Sequence, residues 1–584
     1  MPWLTRFLPQ TMAATVAWVG IQSASAQSPV GERLPTSAAA PVEKIAPMPP
    51  AAPPVTAPVV TPMAVPAPAP VPDGGACPAC GGSGCDSCQP FNFKKVPPVR
   101  TQTRAGMFPI PPSGKGAYNL LAAVQGKEVD APPKFGYAPS ALQPLPFYDG
   151  DWRYLDDPKT PPKDRLDELK RIHLGDDWLM AVGGQAWTRY MNEYSSRLTN
   201  TNNVYQLSRF RPYLDLWYKD VFRFYVEANV TYTQFQDVAP LVIDESGPDI
   251  QNLFIDVKLG DVANAPVYLR AGRQELSLGS QRLISALDWA NTRRTFQGLR
   301  LLRTGEKLDF DAFVLQPVVP NANKLDSGDN NQLFAGTFMT YRPKKGQAID
   351  LYYLILDNVN NVTQQGIVRA PATTHTVGGR YYGDKDLNDC YKLLWDVEGG
   401  LQFGQRGQQD IFAGFASAGA GINFRKAAWN PTLWATYDYA SGDDSPNGGS
   451  RYSTFNQLFP FGHYYLGWAD LVGRQNIHDV NFSLYLYPQK WLTTNIQVHN
   501  FWLDSVRDGL YNTAGVAYRR DATGRASPYV GSEVDIINNF HLTRRTDFLV
   551  SYAYLFGGGF LRDTAAPGAG TNASTLAALF NIRY

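Results

Sequence analysis

Residues 209–232 alternate apolar and polar side chains almost without interruption, and that alternation limits what the chain can become. Phe210, Pro212, Leu214, Leu216 and Tyr218 fall on one face of an extended strand. Arg209, Arg211, Tyr213, Asp215 and Trp217 fall on the other, because successive side chains of a strand point to opposite sides. After Lys219, Asp220 and Val221 the pattern resumes. Phe222, Phe224, Val226, Ala228, Val230 and Tyr232 are apolar, while Arg223, Glu227, Asn229 and Thr231 are polar. A three-residue loop sets Tyr218 opposite Phe222, so both apolar sets share one face. The segment reads as a hairpin of two strands about ten residues long. Soluble strands usually run about five or six residues, whereas about nine to eleven tilted residues cross a bilayer. Apolar-out, polar-in strands of that length point to a transmembrane antiparallel β-barrel. A large soluble β-sandwich is the competing fold.

Composition agrees with the barrel. A chain of 584 residues exceeds one ordinary domain unless that domain is a large barrel. Charged residues are 18% and aromatics 13%, low and high respectively, as lipid-facing girdles require. No run of about eighteen apolar residues follows the N terminus, which excludes a helical membrane protein. The formal net charge of +1 points to no nucleic-acid partner.

The N-terminal part reads as a series of short pieces. Residues 1–26 have the form of a secretory signal, with Arg6, a short apolar core and Ala24-Ser25-Ala26. Residues 27–73 are an Ala/Pro-rich spacer suited to extended conformations. Residues 77–88 carry Cys77, Cys80, Cys85 and Cys88, interrupted by Gly81, Gly82 and Gly84. This spacing suits a four-thiolate zinc site, and it resembles one half-repeat of the zinc modules of DnaJ chaperones. Two disulfides satisfy the same spacing in an exported protein. No His follows either pair, so covalent haem is not indicated, and Cys390 stands alone. Residues 89–170 read as a linker, with a short amphipathic helix over 164–172. The barrel is assigned to 171–584, and everything before about residue 170 is expected to be dispensable for it.

From Trp178 onward eighteen candidate strands can be drawn, and short connections alternate with long ones, except at Gly404–Gln409, which is short where a long loop is due. An even strand number, short periplasmic turns and long outer loops are what an outer-membrane barrel needs. The last strand places Leu576, Ala578, Phe580, Ile582 and Tyr584 on one face. It resembles the C-terminal signal read by the barrel assembly machinery, and lipid would surround that face.

Several stretches resemble the alginate export porin family. They are Asp438-Tyr439-Ala440-Ser441-Gly442-Asp443, Phe455-Asn456-Gln457-Leu458-Phe459-Pro460 with Gly462-His463, Ala469-Asp470-Leu471, and Asn476-Ile477-His478-Asp479. Leu269-Arg270-Ala271-Gly272-Arg273-Gln274 and the entry Leu174-Gly175-Asp176-Asp177-Trp178 fit as well. The resemblance implies a monomeric barrel of eighteen strands with an arginine-rich constriction that passes an anionic polysaccharide.

The residues themselves allow that chemistry. A pore for a polyuronate needs cations on its inner wall that offset lost hydration and still release the solute. In the first six strands the inner face is expected to hold Arg189, Arg209, Arg211, Arg223, Lys258, Arg270 and Arg300. Against these seven positive charges stand four negative ones, Glu193, Asp215, Glu227 and Asp256. Arg273, Arg282, Arg293 and Arg294 lie at or in the long loop 275–295, which could fold inward and narrow the pore. In the competing reading these charges pair across strands and only fill a polar interior. Passive passage of an anionic oligo- or polysaccharide is therefore expected, with a general diffusion porin and, behind it, an outer-membrane barrel enzyme as the alternatives. No Gly-x-Ser-x-Gly, paired-His or phosphate-loop motif supports an enzyme. Asp443, Asp444 and Asp470 read as turn formers more readily than calcium ligands, and His463 and His478 as loop or girdle residues.

Overall fold

The computed structural model describes residues 104–137, 146–157, 159 and 164–584. The signal, the spacer and the thiols of Cys77, Cys80, Cys85 and Cys88 lie outside the described residues. Eighteen antiparallel strands close into a barrel. In chain order the first nine are β1 (Trp178–Tyr194), β2 (Asn203–Tyr218), β3 (Phe222–Gln234), β4 (Ser246–Val262), β5 (Ala265–Gln274), β6 (Phe296–Thr304), β7 (Leu308–Val319), β8 (Gln332–Lys344) and β9 (Gln347–Asn358). The others are β10 (Ala372–Asp386), β11 (Tyr391–Arg406), β12 (Gln409–Phe424), β13 (Thr432–Ala440), β14 (Ile477–Gln489), β15 (Leu492–Trp502), β16 (Tyr529–His541), β17 (Thr546–Gly557) and β18 (Ala573–Arg583). Each pairs with its sequence neighbours, and β1 closes the ring on β18 from Gln185↔Arg583 to Tyr194↔Ser574. The hairpin of β2 and β3 turns with Tyr218 opposite Phe222, as the alternation predicts.

The pleat sorts the side chains. On β2, Leu207, Arg209, Arg211 and Tyr213 are buried, whereas Phe210 between them is 46% exposed. On β13, Trp434 and Asp438 are buried while Leu433 and Tyr437 face outward. The outer apolar set is the surface that lipid covers in a membrane.

The interior is filled rather than hollow. Two long connections, 275–295 and 441–476, run through it and bond to each other. Phe459 N donates to Leu283 O, Ser285 N to Phe459 O and Phe461 N to Gln281 O, each at 2.9 Å. Leu276, Ile284, Phe455, Tyr465, Leu466 and Val472 pack there against inward Phe296, Phe313, Phe334 and Trp434 of the wall.

Residues 104–157 correct the linker reading. They belong to the same compact unit as the barrel, and their described part is docked inside it. Phe108 meets Trp434 edge-on at 5.2 Å, and Trp434 Nε1 donates to Phe108 O at 2.9 Å. Tyr137, Phe147, Tyr148, Trp152 and Leu155 join Tyr213, Tyr225 and Phe254 in a second cluster. Lys170 Nζ donates to the hydroxyls of Tyr137 (2.8 Å) and Tyr213 (2.9 Å), and Tyr137 OH donates to Tyr584 O (2.7 Å) beside the β1–β18 seam. The expected helix over 164–172 is also corrected: it is one 3-10 turn, Asp167–Leu169, followed by a short strand, Ile172–Leu174, on β1. The cause is tertiary. Asp164 and Asp167 accept from Arg545 at the β16–β17 turn, with Asp164 Oδ2 2.8 Å from Nε.

Trp152 is the ring that the docked segment folds around, edge-on to Tyr137 at 4.9 Å and to Phe135 at 5.3 Å. Replacing it by Ala should remove about 3 kcal/mol of docking free energy. Native-state proteolysis is then expected to cut within 104–170 while the barrel keeps its heat-modifiable gel shift. A cleavage pattern unchanged from wild type would show that the segment is held by other contacts.

Candidate solute path through the barrel

Period two of the strand places six guanidiniums on the inner face of neighbouring strands: Arg189 on β1, Arg209 and Arg211 on β2, Arg223 on β3, Arg270 on β5 and Arg300 on β6. All six are buried. Register brings Arg270 directly opposite Arg300, and Asp256 opposite both Arg223 and Arg270. Such crowding of like charge is held by acids. Arg270 Nε donates to Asp256 Oδ1 at 2.7 Å, Arg300 Nε to Asp311 Oδ1 at 2.8 Å, Arg223 Nε to Asp215 Oδ1 at 2.7 Å and Arg211 Nε to Glu227 Oε1 at 2.6 Å. In these pairs the charges do meet across the wall, as the competing reading has it.

Two expected pore residues stand elsewhere. Arg273 is three residues from Arg270, so the pleat turns it to the outer face, opposite Leu253. There it bonds Asp249 and the carbonyls of Ile250 and Asp326 at the long-loop rim. Lys258 points inward but sits at the short-turn mouth, where it pairs with Asp220 at 2.7 Å and Asp261 at 3.2 Å.

The loop 275–295 supplies further acids to the same wall. Glu275 lies 3.0 Å from Arg211 Nη2 and takes Arg293 in a two-point bond of 2.8 and 2.6 Å. Asp288 accepts from Arg209 at 2.9 Å and from Arg293. Burial pushes the Asp288 carboxyl up, but Arg293, Arg209 and Arg211 outweigh it and hold it at about 2. Arg294 donates to the carbonyls of Ser285 and Pro460, and burial pushes it down to about 10. Arg282 reaches the far side of the barrel, to Asp396 at 2.7 Å and Glu398 at 2.8 Å.

That far side is acidic, a feature the reading of the first six strands alone did not reach. Asp350 on β9, Asp396 and Glu398 on β11, Asp438 on β13, Asp479 on β14 and Glu533 and Asp535 on β16 are all buried and inward. Arg380 of β10 bonds Asp396 at 2.8 Å, Arg474 of the loop 441–476 pairs with Asp438, and His499 lies 2.8 Å from Asp479. Continuing the same polar-face count through β16 would have found this wall. The interior thus clusters arginines over β1–β6 and carboxylates over β9–β16, and the loop 275–295 sends Glu275 and Asp288 to the first side and Arg282 to the second.

Among the described residues no group of three or more His, Cys, Asp and Glu is arranged to hold a metal ion. Asp443 accepts from Ser445 N and Ser453 N, the work of a turn former. His478 stands on the outer face beside Tyr437 and Asp504, whereas His463 is buried in the inserted loop.

A closed antiparallel barrel with an apolar outer face and a charged inner one is the architecture of an outer-membrane β-barrel channel. The family model described as alginate export matches residues 178–573, and the chain belongs to that family. Among solved structures it is similar to OccD3 (OpdP) of Pseudomonas aeruginosa, at 13% identity and a TM-score of 0.48, covering 69% of this chain and 91% of that one. The outer membrane protein OpdK of Pseudomonas aeruginosa gives 11% and 0.47, covering 69% and 98%. Pseudomonas aeruginosa OccK3 (OpdO) gives 10% and 0.45, over 69% and 95%. Among curated proteins none matches the sequence.

The Asp288 anchor implies a pH dependence. A carboxyl depressed below its ordinary value of about 3.9 stabilises the folded state above that pH, and this stabilisation is lost as pH falls through the folded value. Docking of the loop 275–295 should therefore weaken by about 2 kcal/mol between about pH 4 and pH 2. Single-channel conductance is expected to rise reversibly across that window. Asp288→Asn should conduct at pH 7 as the wild type does at pH 2, and a flat profile in both would rule out the anchor.

Proposed function

We propose that the barrel carries an anionic oligo- or polysaccharide across the outer membrane by passive passage along the arginine wall. The observation that supports this is the source of the counter-charge. Glu275 and Asp288, which face Arg211 and Arg209, belong to the inserted loop and not to the wall. When the loop withdraws, two carboxylates and the Arg293 guanidinium leave that wall together. Arg209 and Arg211 then face the lumen with Glu227 alone between them. A sugar acid restores the same kind of pairing, so it recovers what it loses in hydration, and it exits readily because the loop competes for the same guanidiniums.

The docked segment 104–157 is the second barrier on this path. Tyr148 O accepts from Arg223 at 2.9 Å, and the rings of Phe147 and Tyr148 lie 4.5 and 4.6 Å from the guanidiniums of Arg211 and Arg270. We place this segment and everything before it on the periplasmic side, and take the strand ending at Tyr584 as the one the barrel assembly machinery reads. The channel works as a monomer. Cys77, Cys80, Cys85 and Cys88 bind one zinc ion in this reading. Thiol counting with elemental analysis tests it, and four unreactive cysteines without metal would mean two disulfides.

A general diffusion pore is the second reading, favoured by the many interior ion pairs. Reversal potentials across a KCl gradient separate the two. Near-surface charges about 4 Å apart interact by about 4 kcal/mol at an effective dielectric of 20, before screening. The wild type should prefer chloride, most strongly at low salt. The variant carrying Arg211→Gln and Arg223→Gln leaves Glu227 and Asp215 unpaired and should lose or invert that preference. Equal passage of K⁺ and Cl⁻ by both proteins would leave the general pore.

A further inference from the structure

One apolar element of the docked segment folds without burying any of its residues. It is the short helix Leu120–Val124, with the sequence Leu-Leu-Ala-Ala-Val. Leucine and alanine favour a helix wherever they stand. Asn119 Oδ1 caps the start by accepting from Ala122 N at 2.8 Å, and Gly126, at φ +66°, ends the helix in the left-handed region. The turn is therefore made locally and needs no core beneath it. None of its five residues is buried. Leu121 is 49% exposed and Val124 77%, and Val129 just beyond is 45% exposed.

The place of this helix on the barrel points to its cover. The segment is anchored inside at Phe108 and again at Tyr137, and between those anchors it runs along the short turns. Lys490 Nζ, in the β14–β15 turn, donates to the carbonyls of Ser113 and Lys115, each at 2.7 Å. Leu121 N donates to Leu542 O, in the β16–β17 turn, at 3.0 Å. The outer face of the wall ends there in an aromatic belt. Phe540 of β16 lies opposite Phe548 of β17, which lies opposite Phe580 of β18, and Trp491 stacks on Phe540 at 6.4 Å and 28°. Phe540, Phe548 and Phe580 share the outer face of exposed Ile536 and Tyr552. Rings of such a belt sit at headgroup level. Leu542 stands two residues past Phe540, about 5 Å further from the bilayer centre once strand tilt is counted. The headgroup layer is about 5 to 8 Å deep, and the helix on Leu542 is held within it.

We infer that the helix Leu120–Val124 is an interfacial foot, with Leu121 and Val124 resting in the phospholipid leaflet at the short-turn end of the barrel. It continues the belt of Trp491, Phe540, Phe548 and Phe580 beyond the last strand residues, and it ties the docked segment to the membrane as well as to the wall. A helix lying in the interface buries its apolar face at the boundary of headgroups and acyl chains. A second copy or a separate protein would need a far larger patch, since a stable interface takes about 800 Å² from each partner. A few side chains suffice for lipid, because the barrel already fixes their depth. The inference needs only a barrel in a bilayer and is independent of what the channel carries.

The test uses the full chain in nanodiscs of phosphatidylethanolamine and phosphatidylglycerol, which leave both faces of the bilayer accessible. A nitrobenzoxadiazole label on Val124→Cys reports the surroundings of the helix, and Leu121→Cys serves if the first variant does not fold. Lys134→Cys, at an exposed polar position of the same segment, is the comparison in water. The wild-type chain labelled in the same way gives the background of the native thiols. Emission from position 124 should lie to the blue of that from 134. Lipids carrying a doxyl group near the headgroup should quench it more strongly than iodide does, and at 134 that order should reverse. Val124→Glu should raise the rate of protease cleavage within 112–134 about tenfold, the size expected for keeping one valine side chain out of an apolar environment. Quenching at 124 by iodide alone would overturn the inference. Shielding from both quenchers would also overturn it, because protein and not lipid would then cover the helix. Cleavage of Val124→Glu at the wild-type rate would overturn it as well.

Discussion

In a bilayer no water is available to bond a stray N–H or C=O, so a sheet that crosses one must have no edge. Every other feature of this protein follows from that constraint. The seam is where it is met: β1 bonds β2 on one side and β18 on the other, over ten consecutive residue pairs from Gln185↔Arg583 to Tyr194↔Ser574. Closure divides the side chains into two sets with different obligations. The outer set has only to be apolar, and Phe210, Leu351 and Phe412 satisfy that. The inner set can be charged, provided each charge is answered inside the barrel.

The answers come from three sources that differ in what carries them. Wall acids such as Asp256 and Asp311 are fixed by the strands that carry them. Loop acids such as Glu275 and Asp288 are fixed only as long as the loop 275–295 stays docked. Backbone carbonyls and rings of the segment 104–157 are the third source, with Tyr148 O on Arg223 and Arg104 O on Arg380. Removing one member of a buried pair costs about 3–5 kcal/mol, more than the pair itself contributes. Were the loop or the segment to leave, it would therefore leave as a unit that carries several bonds, and not bond by bond.

Much of this was legible in the alternation. The strand starts, the Tyr218↔Phe222 turn and the inward set from Arg189 to Arg300 follow from period two, which is local. What was not legible depended on partners far along the chain. Phe108, Tyr137, Tyr148 and Trp152 have no period of their own because each fills a separate gap in the wall. Asp164 and Asp167 suggested a helix until Arg544 and Arg545, nearly four hundred positions away, claimed their carboxylates. Arg273 was misplaced by counting it with its loop and not with its strand. The carboxylates of β9–β16 needed no information beyond the alternation, only its extension to the second half of the barrel.

Sorting the wall arginines by how firmly each is answered gives an order along the path. Arg270 and Arg300, held by strand-borne Asp256 and Asp311, keep their partners in any state of the loops and contribute little net field to a passing solute. Arg209 and Arg211 are neutralised partly by the loop and become available when it moves. Among the described residues Arg189 forms no ion pair, and its Nη1 donates to Trp289 O of the loop. On the proposed reading, an anionic chain in the lumen finds a graded series, from arginines that keep their acids to arginines that the loop releases. Such a series attracts carboxylates without a deep well at any one position, because each step exchanges one set of bonds for another.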